Sequence, residues 1–585
     1  MKNFVVDFES YYGPELNVSD IGVRNYCKES YAYMVGIHGE GVDFVGTPEE
    51  AYKKFNRYFF EESQFWAANA VFDETWAKRY WGDCMLPWKC IFDRGAVNQY
   101  AHSMDKLLCG LTGEGMDKTT RDKMKGVHYD DLDADKKQLV LDYCLNDARE
   151  EWNALQQLPE PTAIEDKLAA WTRMTNVRGV RINRERVEAD KQVLQEAQHH
   201  AKWSIPWIED REVPLSAHEL QKWCQYKGYP CPASRDKKDP VCAQMMEDYP
   251  ELGQVIGHMR NFQSFNVLIK KINSLLGRLD GNDELPMELI YCGARHTRRW
   301  SSRGVNVQNL AANPIVIGDY EINPRHWFIA RPGKTFYIPD FSQIEPRCLN
   351  WLVGNWKLLD LIKEGYGLYE AYARSNGLWT QEAPMKSSDP VFYKTIKAQV
   401  LGLGYGMGAK RFAEVLGTDE MTSKEMVTQW RTINNGITKL WATCDQDVFA
   451  ANKSADRMIE LEMPTGDKLR HFDVQFNGRD YISYTIRGDK TPASKQSHLW
   501  GGVLVENMTQ RMARDILGEA VIKIEEAGIP CLWSSHDEII MEIDDTPEAR
   551  KEAKEVADRI MTTPPDWAPD LPLAVEGDFH KHYTK

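Results

Sequence analysis

DFSQIEPR at 340–347 and SSHDEII at 534–540 decide the reading of this chain. Each string places a carboxylate, Asp340 or Asp537, where a divalent metal can be gripped. Asp537 lies 197 positions after Asp340, so only a fold can join them. SSHDEIIMEI (534–543) reads as strand, tight turn, strand, with Asp537 at the turn. Two metals held by such a pair are a common device for phosphoryl transfer.

Working outward, 585 residues allow roughly three or four domains of ordinary size. A 42% hydrophobic and 27% charged composition is that of a soluble globular protein with several large cores. No run of about 18 apolar residues occurs and MKNFVVDFES carries no secretory signal, so a cytoplasmic protein without membrane contact is expected. The twelve cysteines form no C-x-x-C pair, and Cys224, Cys231 and Cys242 have the wrong spacing for a zinc ribbon, so free thiols are expected. The net charge of −15 does not exclude nucleic acid, because local sign matters more than the total. Between Met259 and Arg303 there are eight Lys or Arg against four Asp or Glu.

Residues 1 to about 160 alternate apolar strand-like runs (FVVDF, YAYMVGIHG, VDFVG) with helical patterns. LPEPT at 158–162 reads as a linker, and 164–290 are mostly helical apart from the turn-rich, basic PASRDKKDP at 232–240. Beyond 290 strands and helices mix, with a glycine-rich patch, GLGYGMG, at 402–408. No G-x-x-x-x-G-K-[ST] loop exists, which speaks against an ATP-driven motor.

The N-terminal stretch has its own acidic set. Asp7 and Glu9 are two apart on a strand and face the same side, a costly arrangement for two carboxylates without a cation between them. Asp73 closes N-x-x-F-D, which starts at Asn69. Tyr143 and Asp147 are four apart on a helix and share a face. Any one of these acids alone is more often a solvated surface group. Together and in this order they resemble the DEDD-type 3′–5′ exonucleases with a tyrosine, over about residues 1–155. The resemblance implies an RNase H-like fold, two metals held by Asp7, Glu9, Asp73 and Asp147, and a water oriented by Tyr143. Ala68 stands where many members have a histidine.

Residues 290–585 resemble the bacterial DNA polymerase I family, family A, motif by motif. HTRRWSSRGVNVQNL (296–310) is similar to T-G-R-x-S-S-x-x-P-N-L-Q-N, with Arg299 and Gln308 on its arginine and glutamine, Arg298 in place of the glycine and Val305 in place of the proline. DFSQIEPR is similar to D-Y-S-Q-I-E-L-R. This implies that Asp340 and the Phe341 carbonyl hold metal and that Glu345 fills the space of a ribose 2′-hydroxyl. YKTIKAQVLGLGYG (393–406) is similar to the fingers helix R-x-x-x-K-x-x-x-x-x-x-x-Y-G, with Lys397 and Tyr405 eight apart. Lys394, Lys397, Leu401 and Tyr405 are expected on one helical face, the lysines toward the triphosphate. Tyr393 falls on the family arginine and Leu401 on an aromatic position. Asp537 is implied as the second metal carboxylate, His536 as a primer-end contact and Glu538 as a support. ENMTQRMARDIL (506–517) reads as an amphipathic helix with Gln510 on the family's minor-groove glutamine.

These readings converge on an α/β and α+β multidomain protein. An RNase H-like exonuclease domain, 1–160, precedes a right-hand polymerase domain, 161–585. In the latter the thumb covers about 185–292, the palm about 293–350 and 500–585, and the fingers about 351–499. The resemblance implies dNMP addition to a primer 3′ end with proofreading, two Mg²⁺ per active site (Mn²⁺ as substitute), and primer-template DNA and dNTPs as partners. A replicative role in a phage, a monomeric state, and a processivity factor or helicase as further partners complete the expectation. The rivals are a nuclease with an inactive polymerase scaffold and a non-catalytic DNA-binding scaffold.

Overall fold

The computed structural model describes residues 1–584 except Cys84, Asp117 and Ala312. Its N-terminal part is built on a five-stranded sheet: β1 (Asn3–Ser10), β2 (Ala32–Gly39), β3 (Val42–Gly46), β4 (Gln64–Ala67) and β5 (Lys89–Cys90), in the order β3-β2-β1-β4-β5. β1 runs antiparallel to β2 and parallel to β4. The apolar runs expected as strands are thus β1, β2 and β3. Asp7 pairs across β1–β2 with Gly36. The helix Ala134–Gln157 lies on this spot so closely that a Cβ on Gly36 would stand 2.8 Å from the Cys144 carbonyl oxygen. Only glycine permits that approach, and it brings Tyr143 and Asp147 down onto the face of β1 that carries Asp7 and Glu9.

LPEPT falls between that helix and the next, Ala163–Arg178, as a linker should. Two long helices, Arg184–Trp203 and Pro250–Arg278, then pack together. The chain between them packs Trp207, Leu220, Cys224 and Cys242 against Ile256 of the second helix in a separate apolar centre. The described cysteines are free, as expected.

The C-terminal sheet has four antiparallel strands in the order Cys531–Ser535, Glu538–Asp544, Lys334–Phe341, Val575–His580. Behind it runs the helix Gly501–Glu526. The amphipathic reading of 506–517 is corrected here: the helix is buried on nearly all sides, with Val503, Glu506, Gln510, Glu519 and Glu525 partly exposed and only its last turn, at Lys523 and Glu526, open to solvent. Between the strand Lys334–Phe341 and this helix lie six helices of eight residues or more, from Trp356–Lys363 to Asn435–Lys453 besides Ile344–Leu352, and a four-stranded sheet spanning 459–496. No helix among the described residues is long and apolar enough to cross a membrane.

The buried helix carries charge inward. Arg511 and Arg514 meet Glu165 from the first turn of Ala163–Arg178, Asp467 and Asp515, and Arg298 joins them at 3.1 Å from Glu165 and 2.7 Å from Asp467. Burial alone would raise the Glu165 carboxyl; the guanidiniums of Arg514, Arg298 and Arg511 hold it well below the usual carboxylate range. This network accounts for Arg298, which falls on the glycine of the motif that HTRRWSSRGVNVQNL resembles. Its φ of +52° is in the left-handed region, and the ion pairs hold it there. Three arginines and three carboxylates balance, so removing one partner leaves a buried charge. Glu165→Ala is expected to cost about 3–5 kcal/mol in urea unfolding followed by tryptophan fluorescence. Glu555→Ala, which breaks the exposed Lys551–Glu555 pair, should cost less than about 1 kcal/mol. Equal effects of the two would contradict a structural role for the network.

Candidate active sites

The strand Lys334–Phe341 and the hairpin 531–544 bring the two sequence-defining acids together. Asp340 faces Glu538 across one strand pair and Glu576 across the other. The Phe341 N–H donates to the Asp537 carbonyl oxygen at 3.0 Å, which ties the strand end to the hairpin turn. That turn is His536–Asp537, with His536 at φ +56°. Glu538 is buried and accepts a hydrogen bond from the Tyr583 hydroxyl, so its carboxylate is oriented by the chain's C-terminal segment. The Gln308 side-chain amide donates to the Ser534 carbonyl and seats its short helical turn beside the hairpin.

A second group gathers at the helix that follows the strand Lys334–Phe341. Glu345 lies in the first turn of Ile344–Leu352 and forms an ion pair with Arg299. Gln510 donates to Glu506 at 3.1 Å. Burial, then the Glu345 charge, raises the Glu506 carboxyl, while Arg299 opposes the rise. Burial and the Glu345 charge likewise raise the Tyr405 phenol. Arg299, Glu345, Glu506, Gln510 and Tyr405 are therefore neighbours.

The helix that the YKTIKAQVLGLGYG resemblance leads one to expect takes a different form. It spans Pro390–Gly402, and Tyr405 belongs to a separate 3₁₀ turn, Leu403–Tyr405. Lys394, Lys397 and Leu401 share an exposed face, whereas Tyr405 turns inward; the chain breaks at its glycines before the fourth position of that face is reached. Tyr393, on the family arginine position, packs edge-on against Tyr369 with ring centres 5.6 Å apart. It holds the helix to its neighbour and leaves Lys394 and Lys397 as the exposed cations of this face.

In the N-terminal part Asp7, Glu9 and Asp147 each offer an oxygen within 4.8 Å of the others. Asp73, on the helix Ala70–Trp81, stands beside them, with Oδ1 accepting the Phe8 N–H at 3.1 Å. Asp7 Oδ2 and Asp147 Oδ1 are buried with no hydrogen-bond partner among the described residues. Burial pushes the Asp7 carboxyl up to about 7. Burial and the Asp7 charge push Asp147 up to about 8. Glu9 and Asp73 are raised well above the carboxylate range, by burial first and by neighbouring carboxylates second. Tyr143 is raised by burial and then by Glu9 and Asp147.

Three participants escaped the sequence reading. Glu151, one turn beyond Asp147, is buried, raised by burial and by Asp7, and accepts the Ala68 N–H at 2.9 Å. Its i+4 spacing was the available signal. Glu506 bears the same relation to Gln510. Arg121 sits near enough for its charge to lower Glu9 and Asp147, and nothing local in the sequence marks it.

The sequence profile of DNA polymerase family A matches residues 291–585. The DNA polymerase of Bacillus phage SP02 is 27% identical over 495 residues, 76% of this chain and 74% of that protein. The thermostable DNA polymerase I of Thermus thermophilus is 24% identical over 331 residues, which is 55% of this chain and 35% of the relative. Among solved structures, the POL domain of Pol1 from M. smegmatis, in complex with DNA primer-template and dNTP, matches 99% of this chain and 95% of its own, with a TM-score of 0.65 at 15% identity. That likeness extends the shared fold over the whole chain. The profile covers half of the residues and includes both acidic strings. The chain belongs to DNA polymerase family A.

Proposed function

We propose that this chain is a template-directed DNA polymerase with a separate 3′–5′ proofreading centre. The synthetic centre is read at Asp340, the Phe341 carbonyl and Asp537. The excising centre is read at Asp7, Glu9, Asp73, Asp147 and Tyr143, in an RNase H-like domain of residues 1–160. Thumb (about 185–292), palm (about 293–350 and 500–585) and fingers (about 351–499) make up the rest. The observation that carries the first reading is the Phe341 N–H to Asp537 carbonyl bond, which joins carboxylates 197 positions apart at one strand end. The second rests on the convergence of Asp7, Glu9 and Asp147.

Both donor sets suit hard divalent cations, since all their ligands are oxygens. The orphaned Asp7 Oδ2 and Asp147 Oδ1 fit this well, because buried carboxylate oxygens without donors are otherwise destabilising. Divalent metals, two Mg²⁺ per centre or Mn²⁺ in their place, supply Lewis acidity for in-line displacement at phosphorus when bound. The chain's own residues do the rest. Lys394 and Lys397 offer exposed ammonium groups for triphosphate oxygens. Glu345, held by Arg299, fills the space a 2′-hydroxyl would need and selects deoxynucleotides. Gln308, Gln510 and His536 line the approach of the primer-template, where acceptors of every correct pair can be met from the minor groove. Tyr143 orients the attacking water beside Glu9 and Asp147. Primer-template DNA and dNTPs are the partners, as they are in the Pol1 complex.

The two centres should be separable. Asp537→Ala should lose primer extension while still degrading single-stranded DNA. Asp7→Ala with Glu9→Ala should lose degradation while still extending. A single variant that abolishes both activities would contradict two independent centres.

The raised carboxyls of the N-terminal set give a pH dependence. Their folded values lie above the unfolded ones, so between about pH 4 and pH 8 the folded state binds more protons and its stability falls as pH rises. Divalent metal must displace those protons. In Asp537→Ala, Mn²⁺ affinity at the N-terminal set should therefore rise between about pH 6 and pH 8, with proton release seen by calorimetry in buffers of different ionisation enthalpy. A pH-independent affinity across that window would contradict the assignment.

A further inference from the structure

The N-terminal carboxylates line a cavity of about 920 Å³ whose other walls have a different chemistry. Phe72, Phe92, Met104 and Met116 form an apolar side. Lys118, Arg121 and Lys125 line it from another segment, where a single acid, Asp122, stands among them and leaves that stretch net positive. The cations are close enough for Arg121 to lower Glu9 and Asp147, and for Lys118 to lower Asp147. Yet among the described residues none of the three makes an ion pair with Asp7, Glu9 or Asp147, and the only pair Arg121 makes is with its neighbour Asp122 at 3.3 Å. Cations that served only to neutralise the acids would close onto them. These stand back and leave a gap between opposite charges.

The cationic segment is pinned in that position. The Tyr12 hydroxyl donates to the Arg121 carbonyl at 2.6 Å, and the Gly126 N–H donates to the Tyr12 carbonyl at 2.8 Å. Met124, between those two points, is buried against Tyr33, Met34, Val140 and Cys144. Tyr12 stands two residues past the end of β1 (Asn3–Ser10), so the segment leaving the acid-bearing strand is tied to the cationic stretch.

A DNA 3′ end brings a phosphodiester backbone that the carboxylates repel and a base that needs a flat apolar surface. We propose that Arg121, with Lys118 and Lys125, grips the backbone phosphates of the single-stranded 3′ end over Asp7, Glu9 and Asp147, and that Tyr12 positions this wall. The proposal rests on the exonuclease reading above. Arg121 touches the substrate, and its fork suits two phosphate oxygens at once. Tyr12 also lines the cavity, and its hydroxyl acts through Arg121, whose carbonyl it holds.

The test is steady-state digestion of a single-stranded oligodeoxynucleotide by the full chain with Mg²⁺, across a series of salt concentrations. Arg121→Ala should raise KM about tenfold. Arg121→Ala, Lys118→Ala and Lys125→Ala should each reduce the slope of log(kcat/KM) against log salt by about 0.7, because each removes one phosphate contact on a single strand. Arg121→Lys should restore the slope and only part of the KM. Tyr12→Phe should raise KM with an unchanged slope, since it removes no charge. Lys123→Ala, on the same short helix but outside the cavity lining, should change neither. The proposal is overturned if Arg121→Ala behaves like Lys123→Ala, or if Lys123→Ala alters the slope as much as the others. A wild-type chain that digests no DNA overturns the exonuclease reading itself, and this wall with it.

Discussion

A buried carboxylate needs a cation, and this chain meets that constraint in two ways. In the polymerase part, Glu165, Asp467 and Asp515 are neutralised by Arg298, Arg511 and Arg514. The charges balance within the protein, and the result is a fixed junction between the helix Ala163–Arg178, the Arg298 turn and the buried helix Gly501–Glu526. In the N-terminal part, Asp7, Glu9, Asp73, Asp147 and Glu151 crowd together with no arginine or lysine in contact among the described residues. Their carboxyls respond by shifting upward, some into or beyond the neutral range. The first arrangement is complete as it stands. The second has no cation of its own and would be completed by one from solution, which is why the two sets are read here as structural and functional.

Geometry around each set follows from close backbone contacts. Gly36 lets a helix settle onto β1 and delivers Asp147 to Asp7. The Phe341–Asp537 backbone bond delivers the hairpin turn to the end of the strand carrying Asp340. In both places the acids come from elements held by main-chain contacts, so their separation depends little on side-chain rotamers. The exposed lysines of Pro390–Gly402 are placed differently. They ride on a helix whose neighbours grip it through Tyr393 and Ile396, leaving the other face open to a ligand.

Much of this was legible in the sequence because it is periodic. Short apolar runs marked β1 to β3, the strand–turn–strand pattern of SSHDEIIMEI marked the hairpin, and four-residue spacing placed Tyr143 and Asp147 on one face. What failed to show depends on contacts distant along the chain. The helix Gly501–Glu526 reads as amphipathic because its arginines are charged, yet those arginines face inward to partners 44 to 349 positions away. Arg298 reads as a departure from glycine, and only its buried partners explain the left-handed backbone. Tyr405 falls off the helical face because glycines end the helix first. Arg121 carries no local signal, since its relation to Glu9 is made by folding alone.

The most direct test of the account is where divalent metal binds. Crystals grown with Mn²⁺ and collected at a wavelength that excites its anomalous signal should show density between the carboxylates of Asp7, Glu9 and Asp147 and none within the Glu165–Arg514 network. Density near Asp340 and Asp537 should appear when primer-template and a nucleotide are bound. An N-terminal acidic set that stays free of Mn²⁺ at pH 8, where its carboxyls can ionise, would contradict the claim that these buried acids exist to hold a metal.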